Sequence, residues 1–190
     1  MINYKAIVFD FDGTLVDTFD IKTQAFGAMY QNYGDKIYKK VINYHIKNEG
    51  INRELKFKFW HRNYLNKTLS SKDLEALSNE FSCLVKDQII SAPFIDGAYN
   101  FLLKASKNKK LFVASSIPDS ELKQLLKKKG IFNFFKKTYG YPKNKTSILK
   151  KIISDDDNLS KNNIIFIGDT KTDYLASLET KVRFIGVGDK

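Results

Sequence analysis

The chain has one cysteine, three prolines, two histidines and one tryptophan in 190 residues. A lone Cys83 excludes an internal disulfide framework and any zinc or iron–sulfur centre built from several cysteines. It suits a reducing compartment, so the expected location is cytoplasmic, with Cys83 itself a small buried hydrophobe. His45 and His61 are too far apart for a short metal-binding pair and are read as structural or surface residues. Long apolar runs are also missing: stretches such as Ile164 to Ile167 fall far short of the ~20 residues that span a bilayer. Met1-Ile2-Asn3-Tyr4-Lys5 has no apolar segment behind its charge, so neither a signal peptide nor a membrane helix is expected.

Acidic charge is in deficit, 21 Asp and Glu against 32 Lys and Arg, for a net charge of +11. That balance favours anionic partners: phosphorylated metabolites, nucleic acid or acidic lipid. No RNA- or DNA-reading motif accompanies it, and Lys107-Asn108-Lys109-Lys110 and Lys127-Lys128-Lys129 look like solvated helix ends. Nucleic acid is therefore not the expected partner. Hydrophobic residues make up 43% and aromatics 14%, enough for a core. The length allows one domain, or one domain carrying an insertion. No feature sets an oligomeric state.

Ala6-Ile7-Val8-Phe9 is a short continuous apolar run, as expected of a parallel strand buried on both faces. Similar runs follow at Leu111–Ala114, Ile164–Ile167 and Val182–Gly186, with a weaker strand at Lys137-Thr138-Tyr139. Helical patterns lie between them at about 98–106, 119–129, 145–154 and 173–179, with Gly130 as a C-terminal cap. This alternation predicts an α/β fold, a three-layer Rossmann-like parallel sheet. Between Asp17 and about Ala92 no strand-like run occurs, and apolar residues recur at helical spacing: Phe57, Trp60, Tyr64, then Leu74, Leu77, Phe81, Leu84. Gly34-Asp35, Glu49-Gly50 and Leu69-Ser70-Ser71 divide this stretch into about four helices. The expected organisation is a core of residues 1–16 and 93–190 with an inserted α-helical cap, 17–92.

In open parallel sheets the ligand site lies beyond the carboxyl ends of the strands. The first strand is followed by Asp10-Phe11-Asp12-Gly13-Thr14, two carboxylates that can face one side of an extended chain, then a glycine that permits a sharp turn. Ser115-Ser116 follow the second, just before a helix opening at Pro118-Asp119, a seat for phosphate. Gly168-Asp169-Thr170-Lys171-Thr172-Asp173 follow the fourth and bring two more carboxylates to the same edge. Clustered carboxylates raise each other's pKa unless a cation neutralises them, and hard oxygen ligands suit Mg2+. Lys145 opens a helix, where its charge opposes the dipole, so its position calls for a functional explanation. Together these residues describe a phosphoryl-transfer site: a carboxylate nucleophile, a second carboxylate for proton transfer, magnesium and a lysine.

Asp10-Phe11-Asp12-Gly13-Thr14, Ser115, Lys145 and Gly168-Asp169 through Asp173 resemble, in order, the four motifs of the haloacid dehalogenase superfamily. The resemblance covers nearly the whole chain. It is closest to the phosphoglycolate-phosphatase-like and β-phosphoglucomutase-like branch, in which a helical cap is inserted between the first two motifs. It implies that Asp10 attacks phosphorus to form an aspartyl-phosphate while Asp12 protonates the leaving alcohol and then activates water. Asp10, the Asp12 carbonyl and Asp169 would hold magnesium, and Asp173 would orient Lys145 or a metal-bound water. Gly13, Thr14, Ser115, Ser116 and Lys145 are the candidate phosphate-binding residues. Gly50-Ile51-Asn52-Arg53-Glu54 resembles a substrate-facing cap loop, in which Arg53 either grips a distal anionic group or is a solvated arginine at a helix start.

The expected substrate is a small phosphorylated metabolite and the expected reaction its hydrolysis. A phosphomutase would share the aspartate nucleophile, a dehalogenase would need neither Asp12 nor magnesium, and a nucleic-acid-binding relic would show steep salt dependence without turnover. Relatives usually continue beyond the last strand, so a chain stopping at Gly188-Asp189-Lys190 is expected to leave one sheet face less covered.

Overall fold

A computed structural model describes residues 4–188; the expectations on Met1-Ile2-Asn3 and Asp189-Lys190 lie outside them. The chain divides into two compact units, one containing residues to Asp17 and from Ala92 onward, the other Thr18–Ser91. Among the described residues no helix is long and apolar enough to cross a membrane.

The first unit is built on five parallel strands, β1 (Ala6–Phe9), β2 (Lys110–Pro118), β3 (Lys137–Tyr141), β4 (Ile164–Gly168) and β5 (Arg183–Gly186), in the order β3-β2-β1-β4-β5. β1 is central and fully buried, and it is short because its apolar run gives way to the carboxylates from Asp10 onward. The chain winds from β1 to β3 in one direction, returns, and winds through β4 to β5 in the other. Right-handed crossovers therefore place the helices of the two halves on opposite faces. Helices α7 (Lys145–Ser154) and α8 (Lys171–Thr180) close one face, where Ile148, Leu149, Ile152 and Ala176 pack with Val8, Phe112, Ala114 and Phe166. On the other face Phe9 meets Phe101 of α5 (Ala98–Ala105), their ring centroids 6.0 Å apart. Helix α6 (Asp119–Lys128) packs against β2 and β3 and ends at Gly130, φ +72°. There Ile131 N–H donates to the Leu126 carbonyl and Gly130 N–H to that of Lys127, a glycine-capped helix end. Along β4 and β5 the residues on this second face are poorly covered, Ile165 and Ile167 partly and Ile185 44% exposed.

The second unit is four helices, α1 (Phe19–Tyr30), α2 (Asp35–Lys47), α3 (Arg53–Tyr64) and α4 (Ser71–Ser91), broken at the three places the turn residues mark. Phe26 is its centre, stacked on Phe81 at 4.3 Å and edge-on to Trp60 at 5.0 Å. One expectation fails here: Cys83 is exposed. Its neighbour Leu84 is 38% exposed, because the inward stripe of α4 runs Leu74, Ser78, Phe81, Val85, Ile89.

The same interior holds a buried basic pair, Lys56 Nζ donating to His45 Nδ1 at 2.8 Å. The imidazole is therefore the neutral acceptor, and burial, with Lys56 and Lys22 nearby, pushes its pKa down to about 2. The unfolded chain takes up a proton here below about pH 6.5 that the folded chain refuses until about 2. Stability should thus fall as the pH drops through that window. Urea midpoints measured at pH 7 and 5 should differ more for wild type than for His45→Gln; equal acid sensitivity would remove the assignment.

Candidate active site

The site is assembled where β1 and β4 end, on either side of the point at which the winding reverses. Asp10 N–H donates to Ile167 O at 2.9 Å, so β4 fixes the backbone of the residue that follows β1. Its side chain is buried; Oδ1 accepts Phe11 N–H at 2.7 Å and Oδ2 accepts from Lys145 Nζ at 2.7 Å. The chain then reverses: Leu15 and Val16 donate to Phe11 O, and Gly13 N–H to Val16 O. Gly13 has φ +67°, and a Cβ there would stand 2.2 Å from Asp169 Oδ2. Only glycine satisfies both the turn and this close approach. Gly13→Ala should accordingly displace Asp169 and lower thermal stability; an unaltered melting temperature would contradict this packing.

Asp169 leaves the end of β4, half-buried, and Thr14 Oγ1 donates to its Oδ1 at 3.0 Å. Asp173, the third residue of α8, is fully buried. Its Oδ2 accepts from Thr170 N–H and Oγ1, a capping arrangement, and its Oδ1 accepts from Lys145 Nζ at 2.6 Å. Gly168 makes room for it, since a Cβ there would lie 2.5 Å from Asp173 Cγ. Lys145 is the first residue of α7, behind the Asn144 cap, and is 7% exposed. The unfavourable placement against the helix dipole is offset by two buried carboxylates. Lys143, two positions before Lys145, is exposed.

The electrostatics follow from crowding. Burial pushes the Asp10 carboxyl well up against the pull of Lys145, and Asp173, Asp12 and Asp169 add to the push. For Lys145 burial acts downward, yet Asp10 and Asp173 outweigh it and hold the ammonium above its ordinary value. Asp169 is pushed up to about 6, mainly by burial, with the Thr14 hydrogen bond opposing. Carboxylate oxygens of Asp10, Asp169 and Asp173 lie within 4.8 Å of one another. Asp173 is fully buried and its Oδ2 caps α8 through Thr170, whereas Asp10 and Asp169 follow the ends of β1 and β4, so Asp10 and Asp169 are the better pair for a cation. Hard oxygen donors whose ionisation is costly without a cation fit magnesium.

Ser115 is buried, and α6 opens at Asp119 behind Pro118 as read, but Ser115 lies within β2 instead of after it. β2 continues to Pro118, its pairing with β3 shifting between Ala114 and Pro118, and Ser115 sits in that irregular stretch with Oγ accepting Ile117 N–H at 3.1 Å. β1 pairs with β2 as far as Phe9 opposite Val113, so Ser115 lies two residues past the last paired position, on the strand next to β1. Ser116 is half-buried in the same stretch and Asp12 is partly exposed. Arg53 belongs to the helical unit and is not solvated: it is 8% exposed, its guanidinium over Phe81 at 5.3 Å. The sequence reading missed Thr170. The pattern Thr170-Lys171-Thr172-Asp173 is a capping-box signature that would have supplied it, and would have started α8 at Lys171 rather than Asp173.

A family model for haloacid dehalogenase-like hydrolases matches residues 7–187. No curated protein matches the chain. Among solved structures, a haloacid dehalogenase-like family hydrolase from Streptococcus pneumoniae is similar at 23% identity and TM-score 0.73, over 99% of this chain and 86% of that one. A protein from Haemophilus somnus named as a predicted phosphoglycolate phosphatase is 17% identical, TM-score 0.69, over 96% and 84%. A Bacillus subtilis protein named as a HAD-hydrolase, bound to magnesium, is 15% identical, TM-score 0.72, over 97% and 89%. At these identities the likeness is one of fold.

Proposed function

The chain belongs to the haloacid dehalogenase-like hydrolase family, and from that premise we propose that it is a magnesium-dependent phosphatase of a small phosphorylated metabolite, working through an aspartyl-phosphate on Asp10. The observation that carries this reading is the buried Lys145 ammonium held between Asp10 and Asp173, with Asp169 alongside.

Each residue's part follows from its bonding. An ammonium has three N–H donors; two go to Asp10 and Asp173, leaving the third for a phosphoryl oxygen. The Ser115 oxygen accepts from Ile117 N–H, which leaves its own proton to donate to a second phosphoryl oxygen. Asp10 attacks phosphorus, the bond to the leaving oxygen breaks, and Asp12 gives that oxygen its proton. In the second step Asp12 takes a proton from water as the water oxygen attacks phosphorus, and the bond to Asp10 breaks to release phosphate. Asp10, the Asp12 carbonyl and Asp169 would hold magnesium, which supplies charge neutralisation for the attacking carboxylate and the phosphoryl oxygens. Asp173 keeps Lys145 in place rather than touching substrate. Residues 17–92 are proposed as the cap that selects the leaving group, and the cytoplasm as the location, in keeping with the single exposed Cys83.

Phosphate release from sugar phosphates, phosphoglycolate, nucleotides and an aryl phosphate, with and without Mg2+, tests the reading. Magnesium-dependent free phosphate is expected. An isomerised sugar phosphate without net release would replace hydrolysis by mutase chemistry, and full activity in chelator would remove the metal.

A further inference from the structure

Gly13 and Thr14 come from the motif that carries the nucleophile, and the sequence reading gave them to phosphate. Their contacts point elsewhere. Thr14 is 3% exposed, its hydroxyl has a single proton to give, and that proton goes to Asp169 Oδ1 at 3.0 Å, across 155 positions of sequence. The other oxygen of the same carboxylate is Oδ2, and it lies where a side chain on Gly13 would be, 2.2 Å from an ideal Cβ. Two consecutive residues therefore shape the place of Asp169: Thr14 holds one oxygen by a hydrogen bond, and Gly13, by lacking a Cβ, leaves room for the other. The turn that presents them is itself fixed by the bonds of Gly13, Leu15 and Val16 to one another and to Phe11.

We infer that the Gly13–Thr14 turn is the positioning element for Asp169, holding that carboxylate ready for a divalent cation, and that this is the work of Thr14 in place of gripping phosphate. The inference rests on the magnesium-phosphatase reading of the site and assigns within it. The site then has two separate anchors. Lys145 braces Asp10 and Asp173 from α7, while Thr14 braces Asp169 from the turn after β1. A metal-binding carboxylate that has lost its supporting hydrogen bond typically binds its ion 10- to 100-fold more weakly.

The test is calorimetric titration of Mg2+ into wild type, Thr14→Val, Thr14→Ala and Thr14→Ser. Valine preserves the shape and removes the hydroxyl, alanine removes it without crowding should valine fail to fold, and serine restores it. The Mg2+ Kd should rise about 10- to 100-fold for valine and alanine and return to within a few-fold of wild type for serine. At saturating Mg2+ the substrate KM of the valine and alanine variants should match wild type. Wild-type Mg2+ affinity in both hydroxyl-free variants would overturn the inference alone. So would a raised substrate KM at saturating Mg2+, the mark of a phosphate-gripping residue. A wild type that binds no Mg2+ would overturn the magnesium reading and the inference with it.

Discussion

Asp10→Asn should reduce phosphate release by about four orders of magnitude or more, the scale on which removing a covalent nucleophile acts, while leaving the fold intact. The asparagine amide matches the carboxylate in shape and its oxygen can still accept from Lys145 or from Phe11 N–H, both of which contact Asp10 at 2.7 Å. It cannot attack phosphorus. Removing this charge also relieves the buried repulsion among Asp10, Asp173, Asp12 and Asp169, so the metal-free variant should melt no lower than wild type. Magnesium should bind it more weakly, since one carboxylate of the proposed ligand pair is gone. Release rates, thermal melts and Mg2+ titration of the same preparation check all three parts.

Lys145→Met should be damaging in both stability and rate. Two carboxylates lie within hydrogen-bonding distance of one ammonium that is 7% exposed. Methionine keeps most of the stem's packing and removes the charge. Breaking a buried ion pair from one side leaves an uncompensated charge and costs about 3–5 kcal/mol. The variant is relieved by protonating Asp10, so the loss should be greatest at high pH and shrink as the pH falls. Added Mg2+ should recover part of it by supplying positive charge to Asp10. The rate should fall by about 100- to 1,000-fold, as for loss of a preorganised donor to a developing oxyanion. Urea unfolding from pH 5 to 8 and phosphate release measure these effects. Stability and turnover equal to wild type would mean that another cation, the exposed Lys143 first, carries the role.

The sheet was legible chiefly through β1, which is buried on both faces, and through the apolar runs of β2 and β4. Ala6–Phe9 is β1 as read, and the polar residues after the first, second and fourth strands marked the ligand edge. Helix α7 begins at Lys145 where Asn144 supplies an N-cap, a signal contained within four residues. What escaped reading depends on contacts between distant segments. Ser115 looked like loop because hydroxyls disfavour neither strand nor turn, and the shifted pairing beyond Ala114 is decided by β3. Arg53 sits at a polar-looking helix start, yet Phe81 of α4 covers it. Leu84 fitted a helical period in a helix whose buried stripe drifts by one residue to Val85. The Thr14–Asp169 hydrogen bond spans the whole unit and leaves no mark in local sequence, although the order of the motifs brought both residues to the same edge.

The central claim is that Asp10 carries the phosphoryl group between two half-reactions, and rapid quenching of wild type turning over a released-phosphate substrate with Mg2+ tests it most directly. Peptide mass mapping should then find an acid-stable, hydroxylamine-labile phosphoryl group on the peptide containing Asp10, absent from Asp10→Asn. Turnover by Asp10→Asn at the wild-type rate, or a phosphoryl group trapped on another residue, would contradict it.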